Sequence, residues 1–184
     1  MPEPRIAPLT DPSPEVEELL EKTKVRPGPA LNIFATMAHH PRLLKRFNVL
    51  GGLFLGRGLL PSRERELVIL RTACLTNCEY EFGQHTLLGR QAGLTEDEIR
   101  GVTESSADWP EGDARLLQLA DEIHAHHDVT DELWAALERR WSPAQMIELV
   151  TLAGFYVMVA AFLNSTRVQL DAAVPGWPAP DERR

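Results

Sequence analysis

SRERELVILRTACLTNCEYEFGQHTLLGRQAG, residues 62–93, decides the fold. The stretch has no period-2 alternation and no Asn-Gly or Asp-Gly turn, and its apolar residues recur at helical spacing. Ser62 is placed to cap one helix, RERELVILRTACL, and a second, NCEYEFGQHTLLGRQA, starts at Asn77 and is stopped by Gly93. The punctuation stays helical on either side. Ser13 and Pro14 open an amphipathic helix, PEVEELLEKTKV, that ends near the breaker Arg26-Pro27-Gly28-Pro29. A helix through LNIFATMAHH is cut at Pro41, and another runs from Pro41 to about Phe54 and fades at Gly56. Downstream, Thr95 and Glu98 form a capping box for EDEIRGV, 105–110 is a loop, and 112–127 is amphipathic with Leu116, Leu117, Leu119, Ala120 and Ile123 inward. Thr130 caps DELWAALERRW. Ser142, Pro143 and Gln145 start a long apolar helix to about Leu170. The expected fold is therefore all-α, with eight or nine helices. Residues 1–29 form an extension with one helix, 30–172 the helical domain, and 173–184 a proline-rich tail laid over the surface or disordered.

Composition narrows the function classes. A chain of 184 residues supports one sizeable core, and 43% hydrophobic with 25% charged residues is globular usage. A net charge of −8, without a basic cluster, argues against nucleic acid and anionic membranes as partners. The N-terminus MPEPRIAPLTDPSPE has neither the basic nor the apolar region of a secretory signal, so the expected compartment is the cytoplasm. The greasiest stretch, 149–170, loses its apolar character at Asn164 after about 15 residues, short of the roughly 20 a bilayer span needs. It reads as a buried central helix. The two cysteines, Cys74 and Cys78, are one helical turn apart, a spacing that disfavours a disulfide, and both are expected to be reduced.

Chemistry concentrates in NCEYEFGQH, 77–85. With Cys78 at zero and about 100° per residue, Glu81 falls at about −60°, Phe82 at about +40°, His85 at about −20° and Leu88 at about −80°. Thiol, carboxylate and imidazole thus share an arc flanked by large apolar side chains, which points them into a partly desolvated pocket. Glu81 and His85 are i,i+4 neighbours, so the carboxylate is expected to orient the imidazole. The rival reading is a surface Glu–His pair beside a packing cysteine. Glu66, amid apolar residues one helix earlier, favours the pocket. Tyr156, Asn164 and His124 are further candidates to face it and bind substrate, or else core groups that simply hydrogen-bond. No metal is expected: His39-His40 and His124, His126, His127 lack a ligand pattern such as HExxH. P-loop, GxGxxG and GxSxG motifs are likewise missing from the sequence.

The stretch 62–99, SRERELVILRTACLTNCEYEFGQHTLLGRQAGLTEDEI, resembles the carboxymuconolactone decarboxylase and alkylhydroperoxidase D-like superfamily, whose signature is Glu, eleven residues, Cys-x-x-Cys, three residues, His. Glu66, Cys78 and His85 take the Glu, first-Cys and His places; the second-Cys place holds Glu81. The resemblance extends over about 30–172, including ADEIH near His124 and ELVTLAGFYVMVAAFLNSTRVQLD. It implies an alkylhydroperoxidase D-like bundle that associates as a homo-oligomer through helical faces. In the peroxidases of this superfamily the Cys nearer the His attacks peroxide and the other resolves the sulfenic acid. Here the attacking position is Glu81, so the resemblance points to the non-peroxidase branch: a cofactor-free acid/base enzyme for a small organic acid, lactone or carbonyl compound. In that reading His85 is the general acid/base, Glu81 orients it, Glu66 completes the relay, and Arg71 or Arg90 could receive a substrate carboxylate. The alternatives are a one-Cys peroxidase using Cys78, recycled by an external thiol, and a non-catalytic small-ligand binding protein.

Overall fold

The computed structural model describes residues 3–23, 28–104 and 108–178, and among them every regular element is a helix. In chain order these are α1 (Pro14–Glu21), α2 (Asn32–Met37), α3 (Pro41–Gly56), α4 (Ser62–Leu75), α5 (Glu79–Gln91), α6 (Glu96–Gly101), α7 (Glu111–His126), α8 (Asp131–Leu137) and α9 (Pro143–Thr166). The capping boxes Thr95/Glu98 and Ser142/Gln145 and the Thr130 cap form as the sequence predicts.

Several ends differ from expectation. Ser62 is the first helical residue of α4, not its cap; the extended residue before it is Pro61, whose side chain has nothing to accept a capping bond. Asn77 adopts a left-handed conformation (φ 50°), which breaks the chain between α4 and α5, so α5 starts at Glu79 with Cys78 as its extended N-cap. Asn tolerates that backbone better than most residues. Left-handed Arg167 ends α9 before Leu170. The expected continuation of α1 through Lys24 and Val25, and part of the breaker and of the 105–110 loop, lie outside the described residues.

The core forms around α4. Leu67, Val68, Ile69 and Leu70 are all buried, so neighbours surround this helix on every side. It lies against α5, α7 and α9. The α9 helix spans 24 residues, and its most apolar 18-residue window has a mean hydropathy of 2.1, so by length and composition it could cross a membrane; the sequence argument from a 15-residue apolar run does not hold. More than half of that window is buried within the bundle instead, with Leu149, Leu152, Ala153, Val159, Ala160 and Leu163 inward.

The chain's flanks are packed down. Val16 and Leu20 of α1 share an apolar cluster with Met37, Ala38 and Leu44, and Arg5 N–H donates to the Thr166 carbonyl at 2.9 Å. After α9, residues 171–178 form a strap along α5. Asp171 accepts from Tyr80 Oη, from Gln84 Nε2 at 2.7 Å and from Asn32 N–H at 2.8 Å. Further on, Trp177 stacks 4.7 Å from Phe82. Gly83 makes room for the strap: a Cβ there would lie 2.2 Å from the Pro175 carbonyl oxygen and 2.7 Å from Val174 Cγ1. Residues 179–184 of the tail lie outside the described residues.

Candidate active site

Glu66 occupies the centre of the site. It projects from a helix surrounded by core, and its side chain is fully buried. An ionised carboxylate survives there only if both oxygens are satisfied. Oε2 accepts from His85 Nδ1 at 2.6 Å, and Oε1 accepts from Arg65 Nε at 2.9 Å and lies 2.8 Å from Arg65 Nη2. Burial pushes the Glu66 carboxyl up, but the charges and hydrogen bonds of His85 and Arg65 outweigh it and hold the group below its ordinary value. A carboxylate can only accept, so His85 Nδ1 carries the proton and Nε2 is left free for other chemistry.

Glu66, not Glu81, therefore orients the imidazole. The expected i,i+4 pairing fails because Glu66 reaches across from α4 and takes Nδ1 first. Both carboxyl oxygens of Glu81 are buried and form no hydrogen bond. Burial, with no cation to offset it, pushes this carboxyl well above the usual range. Two carboxyl groups one helix apart thus have opposite characters. Tyr156 of α9 closes the group: its ring stands edge-on to His85, 4.9 Å between centroids. Its phenol is pushed far up, first by burial and then by the carboxyls of Glu66 and Glu81.

Cys78 does not sit on the helical wheel where the sequence reading put it, because it precedes the first turn. Its thiol is buried and is pushed up to about 12, by burial first and then by Glu81, despite the N–H groups of Tyr80 and Glu81. Burial raises the Cys74 thiol to about 12 as well.

The other candidates do not converge on this point. Asn164 is exposed, and its Nδ2 donates to the Thr76 carbonyl at 2.9 Å, holding the end of α4 to α9. His124 is half-buried on α7 with Nδ1 enclosed and unpartnered, and no hydrogen bond joins it to the Glu66–His85 pair. Arg71 is engaged by Asp121 and the Val102 carbonyl, and Arg90 by Glu96. His40 caps α3 by accepting the Leu43 N–H, and His39 Nε2 lies 3.0 Å from the Ala7 carbonyl. The residue the sequence reading missed is Arg65. Adjacent helical residues point about 100° apart, so a 65–66 pair gave no signal; the guanidinium folds back on Glu66 and also reaches the Phe54 and Leu55 carbonyls at the end of α3.

Residues 41–122 match the Carboxymuconolactone decarboxylase family. No curated protein matches the chain. Among solved structures, an uncharacterized peroxidase-related protein from Ralstonia eutropha JMP134, described as an alkylhydroperoxidase AhpD core, is 21% identical, with 94% of each chain covered and a TM-score of 0.79. An uncharacterized peroxidase-related protein from Silicibacter sp. TM1040 is 18% identical, covering 95% of this chain and 97% of its own, at a TM-score of 0.81. The debrominase Bmp8, solved in complex with 2,3,4-tribromopyrrole, is 17% identical over 91% of this chain and 92% of its own, at a TM-score of 0.76. At these identities the likeness is one of fold.

Proposed function

We propose, from the premise that this chain belongs to the carboxymuconolactone decarboxylase and alkylhydroperoxidase D-like superfamily, that it is an acid/base enzyme acting on a small organic acid, lactone or carbonyl compound by proton transfer at carbon. One observation carries the reading. A buried carboxylate fixes His85 through Nδ1 and leaves Nε2 as a positioned base on an imidazole packed against the Tyr156 ring. Arg65 keeps Glu66 available for that purpose by binding its second oxygen.

The chemistry of the thiols favours this over the peroxidase alternative. A peroxide is attacked by thiolate, and a thiol with a pKa of about 12 supplies very little of it near neutrality. Nor is there a second cysteine in the attacking place, which Glu81 holds. The site is nearly closed, with the His85 side chain 8% exposed. Entry therefore requires side chains over the imidazole to move, and small substrates fit that requirement best.

The test is a panel of lactones, β-keto acids and simple ketones incubated in deuterated water, with deuterium incorporation and product formation followed by NMR. His85→Ala should lower turnover by about 10²-fold or more, the usual worth of a positioned general base. Cys78→Ser should cost far less. Peroxide consumption that disappears in Cys78→Ser, with His85→Ala merely slowed, would replace this reading with the thiol one.

A further inference from the structure

We propose that Glu81 acts as a neutral carboxylic acid whose O–H hydrogen-bonds the carbonyl oxygen of the substrate, which selects small compounds with a proton-bearing carbon next to a carbonyl. The inference rests on the acid/base reading of His85 and names the group that receives the developing charge.

The argument starts from an unsatisfied group. Buried polar atoms almost always have partners, and one that lacks them needs a reason. Glu81 has two such atoms, both oxygens of one carboxyl. The ionisable groups that sense its charge are Cys74 from α4, Cys78 at the start of α5 and Tyr156 from α9, none of them a cation. The Arg65 guanidinium is turned to Glu66 and to the end of α3, and His85 Nδ1 is taken by Glu66. Among the described residues nothing can hold a carboxylate at position 81, so the group keeps its proton, as burial also dictates. A protonated carboxyl is one donor and one acceptor. Within this enclosure the donor has no protein acceptor, and a ligand oxygen would supply one.

Placement turns this donor into a catalytic group. Glu81 and His85 are one turn apart on α5 and the Tyr156 ring stands edge-on to His85, so a small carbonyl compound against Tyr156 would meet the base with the acid one turn away. His85 Nε2 takes the proton from the α-carbon. The C–H electron pair becomes the carbon–carbon double bond of the enolate, and the carbonyl π pair moves onto oxygen. The Glu81 O–H meets that negative oxygen with a hydrogen bond and keeps its own proton. Return of the proton from His85 to the same carbon completes an exchange or epimerisation, and where a β,γ double bond makes the intermediate a dienolate, its delivery to the γ-carbon completes an isomerisation, with no oxidant, reductant or co-reactant. A donor aimed where charge develops lowers the barrier more than it tightens ground-state binding. Peroxides have no such intermediate, and an acid in the attacking position cannot serve them.

The full-length protein allows three measurements. Infrared difference spectra of wild type against Glu81→Gln at neutral pH should show a protonated-carboxyl C=O band present only in wild type. Binding of 4-nitrophenolate, an enolate mimic read by its own absorbance, should weaken about tenfold or more in Glu81→Ala and recover substantially in Glu81→Gln, whose amide still donates. Thermal melts of each variant confirm folding, and the isosteric Gln variant supplies the infrared result even where Ala fails to fold. Absence of the band overturns the proposal, as does failure of the wild type to bind the phenolate or equal binding by Glu81→Ala. The third measurement separates the two readings. If the band and the Glu81-dependent binding are present but no ketone, β-keto acid or lactone exchanges its α-proton in a His85-dependent way, the acid/base reading falls while the Glu81 donor site stands.

Discussion

Glu66 and Glu81 carry the same functional group and face opposite fates with pH. The Glu66 carboxyl is held below its ordinary value, so the stability it contributes is present above the unfolded-state value of a glutamate and is lost as pH falls through the lower folded one. Glu81 runs the other way. Its folded value is raised, so the native state holds a proton the unfolded chain has released, and stability declines as pH rises from the ordinary carboxyl value toward the raised one. Glu81→Gln should therefore gain on wild type with pH by about 1.4 kcal/mol per unit in that window, then level off. Urea unfolding at a series of pH values checks this, and a variant less stable than wild type throughout would mean that Glu81 is ionised and paired. The four residues at 66, 78, 81 and 85 were legible in the sequence because their types and spacing are unusual on apolar helices. Their pairing was not: a helical wheel ranks neighbours within one helix, whereas His85 chose a partner on another. The displacement of Cys78 had a visible signal in Asn77, a residue that readily breaks a helix by going left-handed.

Among the elements, α5 is fixed from two sides, by α4 through the Glu66–His85 bond and by the strap through Asp171, Pro175 and Trp177. Gly83→Ala sets a methyl 2.2 Å from a backbone oxygen of the strap, and backbone yields less easily than a side-chain tip. We expect it to lift the strap, cost on the order of 1–3 kcal/mol and change the emission of Trp177 as it leaves Phe82. Gly89→Ala should be milder, since its nearest neighbour is the Leu94 Cδ1 methyl at 3.0 Å, which can rotate away. Unchanged stability and emission in Gly83→Ala would show that the strap does not bear on α5. Glu148 ties another junction by accepting the N–H of Leu59 at 2.7 Å and of Leu60 at 3.3 Å before α4 begins. Helix order, the capping boxes and the central position of 143–166 could all be read from the sequence because they depend on local chemistry and periodicity. That the tail could lie over the surface was legible as one of two alternatives, but its seat on α5 was not, because PGWPAP has no period, and its partner is a missing side chain on a helix some 90 residues earlier.

On the scale of the whole molecule, apolar side chains remain in water along two helices. Val49, Leu50 and Leu53 of α3 and Ile147 and Met158 of α9 are exposed, with Val49 and Ile147 each at 67%. Apolar side chains left exposed to this extent commonly mark a protein contact. We expect a second copy to cover it, so wild type should sediment as a multiple of 20.6 kDa and a double variant, Val49→Glu with Ile147→Glu, should move toward the monomer. A wild-type monomer at micromolar concentration would exclude such an interface. The position of α9 has a further consequence, for the order in which the protein is made. Its most apolar helix is the last of the nine described to leave the ribosome, while α4, α5 and α7, which enclose it, are made first. Their inner faces must wait for it, exposed to water or to a chaperone. Tyr156 arrives with α9, so the reactive pocket closes only near the end of translation. A chain halted after α8 should therefore remain susceptible to protease, and release of the complete chain should make it resistant in a single step.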